Sequence, residues 1–255
     1  MKRLEQVLLA ARQVLYDRFE ELSEKSRNDY PMLFGHNLWL ESDKIKEEDK
    51  LRRALKHGIL GIGFNGLYEA LLAIYKKNKI ENIKEAQELG IEIIKTIRKK
   101  CDKFSEENNL NYQVIALPED YDKDMFIDID QIIHGKIKGV TDKEYYTNSF
   151  HVPVYYEISA FDKIKLEGPY HALTNAGHIT YVELDGDPLK NLGAFEEVVR
   201  AMKDAGVGYG SINHPVDRDP VCGFTGIIEN ECPHCKRNAD EKESGSERIN
   251  RIKVD

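Results

Sequence analysis

What this chain lacks narrows it first. No apolar run approaches the ~18 to 20 residues that cross a bilayer, so no membrane-spanning helix and no membrane partner are expected. Positive charge is not in excess: 37 Lys and Arg stand against 45 Asp and Glu, a formal charge of -8. A general nucleic-acid binder carries a basic face, so no nucleic-acid partner is expected, while net charge leaves room for a local nucleotide site. No secretory leader is expected either. Met1-Lys2-Arg3 leads into a Val7 to Ala11 stretch that is too short, and Glu5 and Arg12 flank it. Cysteine is scarce, four in all, and three of the four share one segment. That clustering points to a metal rather than to disulfides, and the expected compartment is a reducing cytoplasm.

What is present fits a soluble globular chain. It has 255 residues, 41% hydrophobic, and a mean hydropathy of -0.55. One large or two small domains can bury a core at this length. From Arg3 to Ser26, Leu4, Val7, Leu8, Ala11 and Leu15 fall on one helical face. The charged stretch Glu41 to Arg53 reads as a solvated loop with a short helix. Further helices are expected over Leu67 to Lys79, over Asn82 to Asn108 and over about Asn191 to Asp204. In the second of these Ile83, Ala86, Ile93, Ile94 and Ile97 face inward, and Gly90 weakens it. Strands are expected at Tyr112 to Leu117, stopping at Pro118, and at Phe150 to Tyr156, Ile179 to Leu184 and Tyr209 to Asn213. Strand, helix, strand in this order suggests an α/β fold with parallel pairing. A boundary is placed after Pro215, where composition turns to Cys, Gly and charge. The tail from Lys236 is polar.

The segment Asp219 to Cys235 carries the densest chemistry. Cys232-Pro-His-Cys235 is a C-x-x-C knuckle, and Cys222 lies nine intervening residues upstream with Gly223 after it. Tetrahedral zinc takes four ligands, often as two such pairs. Asp219 stands where a second knuckle places its first cysteine, so Asp219, Cys222, Cys232 and Cys235 form the candidate set. His214, His234 or water are alternatives for the fourth place. A site of this kind is structural, and chelation is expected to loosen it.

Other motifs are weaker. Gly61-x-Gly63-x-x-Gly66 has the form of a dinucleotide fingerprint, but no clear strand precedes it and no suitably spaced acid follows. A tight backbone approach is the alternative. Thr147, Asn148, Ser149 and His151 are small polar groups at the mouth of an expected strand, where α/β barrels gather substrate contacts. Ser149 and His151 have no third orienting group that would make a nucleophile pair. His171, Asn175, His178 and Glu183 match no compact metal motif, and Cys101, among lysines late in a helix, reads as a surface thiol.

Four runs together resemble the anaerobic (class III) ribonucleoside-triphosphate reductases, in that family's order. They are Gly61 to Glu69, Tyr145 to Val154, Asn175 to Glu183, and the Gly208 to Asn213 run before the knuckles. The resemblance is to the C-terminal part of a longer protein. It implies residues 1–215 as part of a ten-stranded α/β barrel of glycyl-radical type, and residues 216–255 as a zinc-knuckle module with a tail. It implies zinc on Cys222, Cys232 and Cys235, with Asp219 in the place of the remaining cysteine. The implied chemistry is radical reduction of a ribonucleoside triphosphate through a thiyl radical, with loss of water from C2′. The implied partners are the remaining reductase segments and an activase using S-adenosylmethionine, in an oligomer. Arg248 to Ile252 matches the family's approach to its radical glycine, but Lys253-Val254-Asp255 follows without that glycine. The thiyl cysteine belongs to a portion not represented here. No catalytic residue is therefore assigned to this chain, and the glycyl radical is expected on another segment. The expectation is a piece of such a reductase, silent alone. The alternatives are a zinc-stabilised nucleotide-binding or scaffold protein, or a relic.

Overall fold

A computed structural model describes residues 2–76, 84–116, 123–154, 156–184, 191–213, 216–219, 221–226, 228, 230–238 and 250–252. Ile83, Pro118, His214, Pro215 and Arg248 lie outside the described residues. The chain divides into two units: Met1–Pro153 with Pro169–His178, and Val154–Gly168 with Ile179–Asp255.

In the first unit, α1 (Lys2–Ser23) buries Leu8 and Phe19, with Leu4, Ala11 and Leu15 packed alongside. Val7 is 51% exposed, contrary to the sequence reading. The buried row runs Leu4, Leu8, Ala11, Leu15, Phe19, and Val7 lies about 100° around the helix from Leu8. Short helical turns at Arg27–Asp29, Pro31–Gly35 and Ser42–Lys44 lead to α2 (Arg52–Leu55). They enclose a small satellite core of Phe34, Ile45, Leu51 and Ala54. Trp39 packs against it and donates its indole N–H to the Ala54 carbonyl at 3.1 Å.

Strand β1 (Ile59–Gly63) runs through the glycine segment, where no strand was expected. Glycine is a poor strand former, but the local pattern is overridden by pairing. Each β1 residue from Ile59 to Gly63 aligns in parallel with one from Asn111 to Ile115, which is β2. The connection between them contains α3 (Leu67–Tyr75) and α4 (Lys84–Asn108). The inward face of α4 is Ala86, Gly90, Ile94, Ile97, Cys101 and Phe104, close to the expected period. Gly90 has a reason: a Cβ there would lie 2.3 Å from the Tyr170 hydroxyl and 3.2 Å from a Leu71 methyl. Cys101 is fully buried rather than a surface thiol, because it falls on this same stripe. Burial raises its thiol to about 12, Asp102 adds to that, and Arg98 opposes it.

Helix α5 (Lys123–His134) follows. The sequence reading assigned nothing there, because apolar and acidic residues alternate as in a strand. Among the described residues of 150–156 there is no strand. Phe150 and Val152 are buried, but as part of an irregular turn. Ser149 at φ 42° turns the chain just before it. Pro153 cannot donate to a ladder.

The second unit contains most of α6 (Ala160–His171), a second helix absent from the sequence reading. Ser159 caps it, accepting the Asp162 amide at 3.1 Å while its hydroxyl donates to the Asp162 carboxylate. Pro169 sits in the last turn, and the Gly-Pro pair reads in sequence as a break. β3 (Thr180–Glu183), α7 (Leu192–Asp204) and β4 (Gly210–Asn213) form a parallel strand–helix–strand unit. Its core is Ile164, Val182, Val198 and Met202. β5 (Val216–Arg218) then pairs antiparallel with β6 (Thr225–Gly226) and β7 (Asn250–Ile252).

Candidate functional site

Two successive turns of one design build the site in the second unit. In the first, the Asp219 amide donates to Phe224 O and the Gly223 amide to Asp219 O, each at 2.9 Å. In the second, the Cys232 amide donates to Arg237 O at 2.8 Å and the Lys236 amide to Cys232 O at 2.9 Å. Gly223 and Lys236 take the same left-handed place, at φ 72° and 64°. Asp219 therefore corresponds to Cys232, and Cys222 to Cys235. The turns bring one donor atom from each of Asp219, Cys222, Cys232 and Cys235 within 4.8 Å of one another.

The donor set fits a metal. Around tetrahedral zinc, Zn–S bonds of ~2.3 Å separate sulfurs by about 3.8 Å, and Cys222 and Cys232 sulfurs are 3.6 Å apart. Asp219 and Cys232 are fully buried, Cys222 is half-buried and Cys235 exposed. Asp219 Oδ1 accepts the Val221 amide at 2.8 Å and the Cys222 amide at 3.4 Å. Its Oδ2 accepts from the Cys235 thiol at 3.1 Å. Burial pushes the Asp219 carboxyl up, but the donors outweigh it: the Cys235 thiol, the Val221 amide, the Cys232 thiol and the Cys222 amide. They hold it well below the usual carboxylate range. The Arg237 amide pulls the Cys235 thiol down, while Asp219, burial and the neighbouring thiols push it up. Arg237, 7% exposed, lies with Nη1 3.5 Å from Asp219 Oδ1. The sequence reading missed Arg237. Its only signal was its position, two residues beyond the second knuckle. His234, an alternative ligand in the sequence reading, is exposed and is not among the clustered donors.

In the first unit, the polar patch meets the β1–α3 loop. Gly66, at φ 72°, donates its amide to Thr147 O at 2.8 Å and sits against the Tyr146 ring. Asn65 bridges Asn148, and Asn65 Oδ1 accepts the Ser149 amide at 3.5 Å. The His151 amide donates to Asn148 O at 3.0 Å. Glu69 Oε1 accepts the Thr147 amide at 3.1 Å and its hydroxyl at 2.5 Å. Burial raises the Glu69 carboxyl, and its bonds with Thr147 and its own amide lower it by less. Ser149 is fully buried, and its hydroxyl has no hydrogen-bond partner among the described residues. The glycine run thus admits the 146–149 turn. The His171 and His178 rings meet at 60° with centroids 4.3 Å apart, and His178 Nδ1 lies 2.7 Å from Thr174 O. Glu183 falls in the other unit.

The family model described as anaerobic ribonucleoside-triphosphate reductase matches residues 1–253. The anaerobic ribonucleoside-triphosphate reductase of Escherichia coli K12 is 29% identical over 97% of this chain and 35% of its own length. That of enterobacteria phage T4 is 32% identical over 71% of this chain and 28% of its own. Among solved structures, an anaerobic ribonucleotide reductase superimposes with a TM-score of 0.63 at 19% identity, over 92% of this chain and 35% of that one. The Thermotoga maritima anaerobic ribonucleotide reductase in complex with dATP and CTP gives 0.62 at 18% identity, over 92% and 37%. These structures share the α/β fold. The chain spans about a third of the length of the relatives it matches.

Proposed function

The chain belongs to the anaerobic ribonucleoside-triphosphate reductase family, and on that premise we propose that it forms part of such an enzyme's catalytic barrel together with its metal module. The observation that carries this is the meeting of Asp219, Cys222, Cys232 and Cys235 donor atoms in a chain matched by the family over residues 1–253. The parallel pairs β1–β2 and β3–β4 are read as segments of the ten-stranded barrel, and the turns from residue 216 as its zinc module. When bound, zinc would neutralise the clustered thiolates and tie the two turns together. The chain's own residues orient it: backbone amides fix Asp219 and the two turns hold the cysteine sulfurs close to its carboxylate.

The substrate proposed is a ribonucleoside triphosphate, contacted through Thr147, Asn148, Ser149 and His151. Ser149's unpartnered buried hydroxyl supports a polar contact there. None of the four cysteines is placed as a thiyl donor. Cys101 is sealed in the core with a raised thiol, and the other three sit together in the metal cluster. The hydrogen-abstracting thiol is therefore assigned to another reductase segment, along with the glycyl radical installed by the activase. The compartment that suits these free thiols is the cytoplasm. Among the described residues no helix is long and apolar enough to cross a membrane.

The test is anoxic co-expression with the remaining reductase segments and the activase. The expected results are a co-purifying complex that reduces ribonucleoside triphosphates, and about one zinc per chain. A chain that neither joins those segments nor carries zinc would overturn the proposal.

A further inference from the structure

Asp219 gives the candidate metal centre a ligand with two oxygens where a thiolate has one sulfur. The two oxygens are treated differently. The two backbone amides that reach the carboxylate, from Val221 and Cys222, both go to Oδ1. The only side-chain cation reaching the carboxylate among the described residues, Arg237, also approaches Oδ1, at 3.5 Å. Oδ2 is turned to the thiols, 3.1 Å from Cys235 Sγ. The carboxylate is fully buried and the guanidinium nearly so, so water screens neither.

We propose that Arg237 is the positioning residue that makes an aspartate workable as the fourth ligand. It holds Oδ1 so that Oδ2 alone faces the metal. This rests on the metal reading above and extends it to how the odd ligand is accommodated. Two physical demands support it. First, a buried carboxylate beside three thiols needs a cation of its own, because four anionic ligands around a dication leave net negative charge in a desolvated place. Secondly, a carboxylate with both oxygens unclaimed rotates or chelates through both; outer partners that take one oxygen fix ligand orientation. The backbone supplies Arg237's place. The Cys232 amide bonded to Arg237 O closes the second turn, so the arginine starts from a fixed point next to both of that turn's cysteines.

The experiment is cobalt(II) uptake by the full chain, followed by absorption and by competition with a chelator. Four proteins are compared: the parent chain, Arg237→Met, Asp219→Cys, and the two changes combined. The parent is expected to take up one cobalt with thiolate charge-transfer bands. Arg237→Met should weaken binding by about 10- to 100-fold. With cysteine at position 219 there is no second oxygen to hold, so adding Arg237→Met there removes only the compensating charge and should weaken binding by clearly less than in the parent. Equal losses in both backgrounds would mean Arg237 only supports the fold, and no loss in either would mean it does nothing for the ligand; both overturn the proposal. Should the Asp219→Cys chain not fold, Arg237→Lys decides. Restoring the charge recovers affinity on this proposal, and no recovery overturns it. A parent chain that binds neither cobalt nor zinc would sink the metal reading itself.

Discussion

Glu69 is a buried acid whose work is local. One carboxylate oxygen takes both donors of Thr147, and the other has no partner among the described residues. Burial lifts its carboxyl above the ordinary 4.5. A carboxyl raised by folding binds its proton more tightly in the folded state, so its stabilising share is present below 4.5 and is lost as pH rises through the folded value. Glu69→Gln keeps the oxygen that accepts from Thr147 and removes the ionisation. The variant should therefore match the parent near pH 4 and exceed it increasingly toward neutrality. Thermal midpoints of both proteins from pH 4 to 8 check this, and a difference that stays flat with pH would refute it. No sequence feature marked Glu69 as buried, because its partner Thr147 is 78 positions away. The knuckle cysteines were readable because their spacing is local. Cys101 was misread because lysines beside it in sequence point away from it in the helix.

At the scale of elements, helices with one strong stripe were the readable ones. Helix α7 is the best case: Asn191 accepts the Ala194 amide at 3.1 Å, and Val198 and Met202 face the core. Asn191→Ala should cost about 1 kcal/mol, the usual worth of such a cap. Denaturant melts give the value, and an unchanged midpoint would show the cap to be idle. Helices α5 and α6 escaped because their local signals compete: alternating acids in one, Gly168-Pro169 in the other. Gly168 is tolerated through packing, since a Cβ there would lie 2.4 Å from Ala205 O. Strand β1 shows the converse. Gly61 and Gly63 break up the strand preference of Ile59 and Ile62, and the parallel register with β2 carries the strand through them.

At the scale of the whole molecule, the chain exposes an apolar helix face. On α5, Met125, Phe126, Ile129, Ile132 and Ile133 are 47 to 85% exposed and fall on one side by spacing. Contiguous apolar faces drive association. The isolated chain is expected to associate with rising concentration in sedimentation velocity, and Ile132→Lys, at the most exposed of these positions, should reduce it. A concentration-independent monomer would refute this. The sequence by itself determined the α/β class, the family and the knuckle spacing, because each rests on residues near one another in the chain or on runs in a fixed order. Only tertiary structure decided that the glycine run is a strand, that Cys101 and Glu69 are buried, and that Arg237 stands beside Asp219. Those outcomes depend on partners distant in sequence, and burial and pairing outweigh the weak local preferences of the residues concerned.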